Sequence, residues 1–285
     1  MAAVVPEVFT NGKILCIGMG GGCDIITAYV TSQHLPGLSK DIHWGNTKRN
    51  PQEAVQLTPK GHIHRVTAHR PLEKGKNYYG TCGIDAAVPQ GELSPLLVRI
   101  PRVEKGAKAD ENVLREIASE LRTLGFDAVV GVDAGGDSLT GGIDHAGDPS
   151  TGVDQMMGRV LMYSGLPYMQ VVCGLGSDGE STQEQILKCI EAERQSGAFI
   201  GEIPMKGWAP AYRQLSGVLE DYRTPNIMAK AIELVEQGVD PMTEFLVERG
   251  DKPKIPILWL SQAYLFLRRE TLLAASDLHS IPSQL

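Results

Sequence analysis

The stretch KILCIGMGGGCD, residues 13–24, is an apolar run that breaks into three consecutive glycines and then into a helix-forming segment reaching towards Gln33. A short apolar run, a glycine turn and a helical pattern in succession predict a strand, a tight turn and a helix. Glycines suit such a turn because they adopt positive φ and let other groups approach the backbone.

The same pattern recurs downstream. Ala128 to Val132 runs into GVDAGGDSL at 131–139, and Tyr168 to Cys173 runs into GLGSDG at 174–179. Between them, Val113, Leu114, Ile117 and Leu121 have helical spacing within Asp110 to Leu124, and Val153 to Tyr163 reads as another helix. Weaker strand signals lie at Ile42 to Trp44, Ile63 to Thr67 and Leu96 to Ile100. Ser181 and Glu184 have the spacing of a capping box for the helix after the third loop. Thr224-Pro225 to Gly238 and Asp240-Pro241 to Gly250 predict two late helices, Ile255 to Leu260 a last strand and Gln262 to Arg269 a closing helix.

Uninterrupted apolar strands alternating with amphipathic helices predict an α/β protein: a Rossmann-like three-layer fold with a mainly parallel sheet and helices on both faces. Right-handed crossovers then bring the loops that follow the strands to one edge of the sheet. Residues 1–285 read as a single α/β domain, with a helical carboxyl-terminal portion from about residue 204 packed on it.

Composition narrows the partners. A net charge of −7 without a Lys/Arg-rich run argues against nucleic acid, which demands a basic footprint. No apolar run of about 18 residues exists, and the opening MAAVVPEVFTNGK lacks the pattern of a secretory signal. Five cysteines, Cys16, Cys23, Cys82, Cys173 and Cys189, without CxxC spacing fit reduced thiols. The expectation is a cytoplasmic protein that serves a small-molecule ligand rather than a membrane or a nucleic acid. A homo-oligomer is compatible with this composition.

The three loops carry the candidate chemistry. In the first, Gly20, Gly21 and Gly22 are expected to offer backbone N–H groups to an anion. Asp24 either caps the helix or faces the pocket, where it favours a sugar hydroxyl or a metal over a bare anion. The pattern G-x-G-x-x-G would need glycine where Cys23 stands, and the second strand ends in Gly45-Asn46-Thr47 instead of an acidic ribose ligand, which demotes ordinary NAD binding. Asn46 and Thr47 become candidate substrate contacts, as does Thr81 within the polar, aromatic loop Tyr78 to Asp85.

In the second loop, Asp133 and Asp137 are the candidate catalytic pair. Two such carboxylates hold Mg²⁺, bind ribose hydroxyls or divide acid and base roles; the alternative is an Asx turn in which both cap backbone amides. Gly135 and Gly136 join them as backbone donors. The segment TGGIDHAGDPSTG, 140–152, has no regular pattern and suits a lid, with His145 beside Asp144 as a proton carrier or else a surface histidine. Gly174, Gly176 and Asp178 are the candidates of the third loop, with a plain strand-to-helix connector as the alternative. His62, His64 and His69 lack accompanying ligands at metal spacing and read as structural.

These motifs carry a resemblance. IGMGGGCD, VVGVDAGGDSL at Val129 to Leu139 and GxGSDGE at Gly174 to Glu180 resemble, in order and spacing, a family of mainly prokaryotic proteins catalogued as domain of unknown function 1152, over residues 13 to about 200. The resemblance implies a Rossmann-like fold and a common site, and supplies no reaction. The leading reading is an enzyme of transferase, hydrolase or lyase type that acts on a nucleotide-like or phosphorylated small metabolite, with Mg²⁺ and a nucleotide-type ligand as cofactor candidates. One alternative is a non-catalytic sensor of such a ligand. The other is an S-adenosylmethionine-dependent methyltransferase, suggested by ILCIGMGGG and weakened by the absence of an acidic residue after the second strand.

Overall fold

The computed structural model describes residues 5–48, 54–67, 95–142, 147–217 and 219–268. Strand β1 (Lys13–Gly18) leads through α1 (Asp24–His34) to β2 (Asp41–Lys48), followed by β3 (Ala54–Gln56), β4 (Ile63–Val66) and β5 (Leu96–Arg99). Helix α2 (Glu111–Arg122) precedes β6 (Ala128–Ala134), the single turn α3 (Asp137–Thr140), α4 (Val153–Tyr163) and β7 (Tyr168–Cys173). Then come α5 (Gln183–Gln195), β8 (Phe199–Pro204), α6 (Ala209–Ser216), α7 (Thr224–Glu236), β9 (Glu244–Leu246), β10 (Lys254–Pro256), α8 (Ile257–Leu260) and β11 (Gln262–Arg268).

The main sheet has the order β3-β4-β5-β2-β1-β6-β7-β11-β8, and its five central strands, β5-β2-β1-β6-β7, are parallel. Antiparallel pairs complete both ends: β4 and β3 beyond β5, β11 and β8 beyond β7. The expected Rossmann-like α/β architecture is therefore present. Alternate residues of β1 serve opposite faces, as strand geometry requires. Ile14 and Cys16 pack with α1, α6 and α7, while Leu15 and Ile17 pack with α2 and α4. Both faces are buried, which is why β1, β6 and β7 read as continuous apolar runs. Among the described residues no helix is long and apolar enough to cross a membrane.

The chain leaves β1 for β2 on one side and later returns with β6 on the other. That reversal makes the gap between the carboxyl ends of β1 and β6 a topological switch point, where backbone segments diverge and open sheets bind ligands.

Several late elements differ from expectation. Gln262 to Arg268 is strand β11, not a helix; it is inserted between β7 and β8 and buried on both faces, so it lacks the period-two signature that marks a half-exposed strand. The segment after Asp240 forms a turn and β9, not a helix: the Met242 N–H donates to Asp240 Oδ1 at 2.9 Å, and Phe245 pairs with Ile255 of β10. Of the expected last strand only Ile255 and Pro256 are extended, within β10, and Ile257–Leu260 turns into α8. The capping box of α5 is Thr182 with Gln185, one residue later than Ser181 with Glu184. Ser181 Oγ instead pairs with Thr140 Oγ1 at 2.6 Å. The irregular stretch 140–152 contains a 3-10 turn at Pro149–Thr151, and β8 and α6 gave no clear signal in the sequence.

Candidate functional site

The first glycine loop is held by its neighbours. The Met19 N–H donates to Val132 O at 2.9 Å, tying the end of β1 to β6. Thr47 Oγ donates to Gly18 O at 2.9 Å and Asn46 Nδ2 to Gly22 O at 3.1 Å. Asn46 and Thr47 are therefore engaged in bracing the loop from β2. Gly21 has φ +84°, and a Cβ there would lie 2.6 Å from Thr47 O, so both conformation and space demand glycine. The Gly20 N–H donates to Asp24 Oδ2 at 2.7 Å, which orients the Asp24 carboxyl back over the loop at the N-terminus of α1.

At the end of β6, Asp133 is completely buried. Its Oδ2 accepts the Ser138 N–H at 3.1 Å and the Ser138 hydroxyl, and Ser138 Oγ in turn accepts from Gln170 Nε2 at 2.6 Å. The turn-capping role is thus real for one oxygen. The other, Oδ1, is buried and accepts no N–H or hydroxyl donor, and the same is true of Asp154 Oδ1. Asp154 lies in the first turn of α4. Asp137 opens α3, with its carboxyl beside those of Asp133 and Asp154.

One ligand oxygen from each of Asp24, Asp133 and Asp154 lies within 4.8 Å of the other two. Mg²⁺ or Ca²⁺, with metal–oxygen distances of about 2.0–2.6 Å, gathers ligand oxygens no more than about 4–5 Å apart, which a cluster of this size allows. Asp24, Asp137 and Asp154 are all pushed well above the usual carboxylate range, first by burial and then by neighbouring charge, that of Asp154 for Asp24 and Asp137 and that of Asp133 for Asp154. Burial raises Asp133 as well, opposed chiefly by the hydrogen bonds from Ser138. Without a proton or a cation between them, such acids repel. A shared hard cation relieves both the repulsion and the unsatisfied oxygens.

The third loop contributes differently from the first. The Gly174 N–H donates to Gln262 O at 2.9 Å and the Gly176 N–H to Gly135 O at 2.6 Å, so these amides are spent inside the protein. A Cβ on Gly174 would meet Met228 at 2.5 Å and one on Gly176 would meet Ile255 at 2.7 Å. Their glycines answer to packing. Gly135 and Gly136, with φ of +126° and +115°, shape the turn into α3. Asp178 sits against Gly135 with one oxygen accepting the Glu180 N–H at 3.0 Å, and its carboxyl is pushed up to about 7, chiefly by burial.

The fold thus brings Gly20, Gly21, Gly22, Asp24, Asp133, Gly135, Gly136, Asp137 and Asp178 to one edge of the sheet. Asp154, a member of the oxygen set, was not among the sequence candidates. His145 and Thr81 lie outside the described residues. His62 pairs with Glu116 at 2.9 Å, as a structural histidine does.

No curated protein and no solved structure matches this chain. A family model does match, over residues 100–280, taking in the second and third loops and most of the carboxyl-terminal part, with the first glycine loop lying ahead of the matched segment. With that match spanning more than half of its residues, the chain belongs to the family described as "Protein of unknown function (DUF1152)".

Proposed function

We propose that this protein is an enzyme that acts on a nucleotide-like or phosphorylated small metabolite and holds a hard divalent cation, Mg²⁺ by class, between Asp24, Asp133 and Asp154. The observation that carries the reading is the convergence of three carboxyls, oxygens within 4.8 Å, in which Asp133 Oδ1 and Asp154 Oδ1 are buried without a donor. Such an ion neutralises phosphate charge and lowers the pKa of bound water.

The position supports the same reading. The oxygen set stands at the switch point between β1 and β6, beside the N-terminus of α1, where anionic groups are favoured. Two arginines stand near its loops: Arg223 by Cys23 of the first and Arg249 by Asp178 of the third. A phosphoryl group bridging cation and arginine fits an acidic pocket that would otherwise repel it.

The test is turnover. Purified protein is incubated with nucleotides and sugar phosphates with and without Mg²⁺, and phosphorus NMR follows the products. Cation-dependent conversion of one class, lost in Asp133→Asn, is expected. Cation-dependent binding with the ligand returned unchanged would replace the enzyme by a sensor.

A further inference from the structure

Every residue of β7 is buried, yet its third, Gln170, is an amide with only 3% exposure. Burying an amide is costly unless its polar ends find partners, and here the two ends meet partners of different kinds. Gln170 Oε1 accepts from Arg268 Nε at 2.8 Å, and Gln170 Nε2 donates to Ser138 Oγ at 2.6 Å. Arg268, at the end of β11, is itself held by Glu193 of α5, whose two carboxylate oxygens each lie 2.6 Å from Arg268 Nη1. Ser138 completes the row: its hydroxyl donates to Asp133 Oδ2, and its carbonyl accepts from Nε2 of Gln155, the residue after Asp154.

The direction of each bond in this row is set from the arginine end. Arginine has donors and no acceptor, so the Gln170 amide must turn Oε1 towards Arg268 and its NH₂ towards Ser138. Ser138 Oγ then accepts from Gln170, and its single proton is left for Asp133. Asp133 Oδ2 is thereby committed to the Ser138 hydroxyl and N–H, and Oδ1 is the oxygen that stays buried without a donor. The orienting arginine stands two strands from Asp133, in the order β6-β7-β11.

Resting on the reading of Asp133 as a cation ligand, we infer that Gln170 is a positioning residue for that centre: oriented by the Arg268–Glu193 pair, it commits the Ser138 hydroxyl to Asp133 Oδ2 and so presents Oδ1 to the ion. Partners that hold a ligating carboxylate in place in this way contribute about 10–100-fold to metal affinity.

Metal-depleted wild type, Gln170→Glu, Arg268→Met and Arg268→Lys are titrated calorimetrically with Mg²⁺, and their melting temperatures are taken in EDTA. Gln170→Glu keeps the side chain's size and gains a charge that Arg268 can pair, so the fold is retained. A carboxylate has no donor for Ser138 Oγ, however, and competes with Asp133 for the hydroxyl proton. Mg²⁺ affinity is expected to fall about tenfold, opposite to the rise that an added negative charge brings by attraction alone. Arg268→Met should weaken binding in the same sense, and Arg268→Lys, which restores a donor, should recover most of it. An affinity of Gln170→Glu equal to or above that of the wild type, or identical affinities for the two Arg268 variants, overturns the positioning role and leaves the cation centre; no binding by the wild type overturns both.

Discussion

Asp154 Oδ2 stands 2.5 Å from where a Cβ on Gly20 would sit, so the first turn of α4 and the glycine loop after β1 press directly on one another. Residue 20 is glycine because of this approach; its φ is not in the left-handed region. Gly20→Ala should displace Asp154 from the oxygen set. Overpacking of this kind costs about 1–3 kcal/mol. Cation affinity should fall by roughly tenfold or more, as when a metal site's supporting contacts are disturbed. Thermal unfolding with and without Mg²⁺ reads both effects.

The acids make stability depend on pH in an unusual direction. Asp178, raised to about 7 in the fold, holds its proton where the unfolded chain has released it. The folded state then binds more protons than the unfolded, so stability falls as pH rises from about 4 through 7. The displacement of Asp178 alone is worth on the order of 4 kcal/mol at most, and Asp24, Asp137 and Asp154 act in the same direction. In EDTA the melting temperature should drop across this window, and Mg²⁺ should flatten the drop. A melting temperature that climbs with pH in EDTA would refute the assignment.

Ser138 links Asp133 to Gln170 by hydrogen bonds on both sides of its hydroxyl. Ser138→Ala should leave the buried Gln170 Nε2 without that acceptor and Asp133 Oδ2 with the backbone donor alone. Each such loss costs about 1–3 kcal/mol. Chemical denaturation should register the loss, and the pH-dependent drop in stability should steepen as Asp133 rises further.

Thr182 supplies a control. It caps α5 with Gln185 and stands outside the acid cluster. Thr182→Ala should cost about 1 kcal/mol and leave cation affinity unchanged, as calorimetry would record.

Legibility followed burial and periodicity. β7 and α4 were readable to the residue because an apolar run and a helical repeat had clean ends in Cys173, Gly152 and Gly165. β11 was not, since QAYLFLR buried on both faces presents neither period. Asp240 misled because the same Asp-Pro pair that starts helices also starts turns. At the site, the glycine and aspartate loops after β1 and β6 were visible as motifs. Asp154 was not, because its role depends on α4 crossing behind β6 to face Gly20, a relation that no local pattern encodes. The third loop misled in the opposite sense: its glycines resemble an anion cradle, yet Met228 and Ile255 explain them.

The most direct measurement is calorimetric titration of metal-depleted wild type and Asp133→Asn with Mg²⁺, paired with their melting temperatures in EDTA. The wild type should bind the ion and gain about 2.7 kcal/mol at a hundredfold excess over its dissociation constant. Asp133→Asn should bind none while melting no lower than the wild type in EDTA, since it sheds a buried charge. Equal binding by both proteins, or none by the wild type, would contradict a cation centre at the carboxyl edge of β1 and β6.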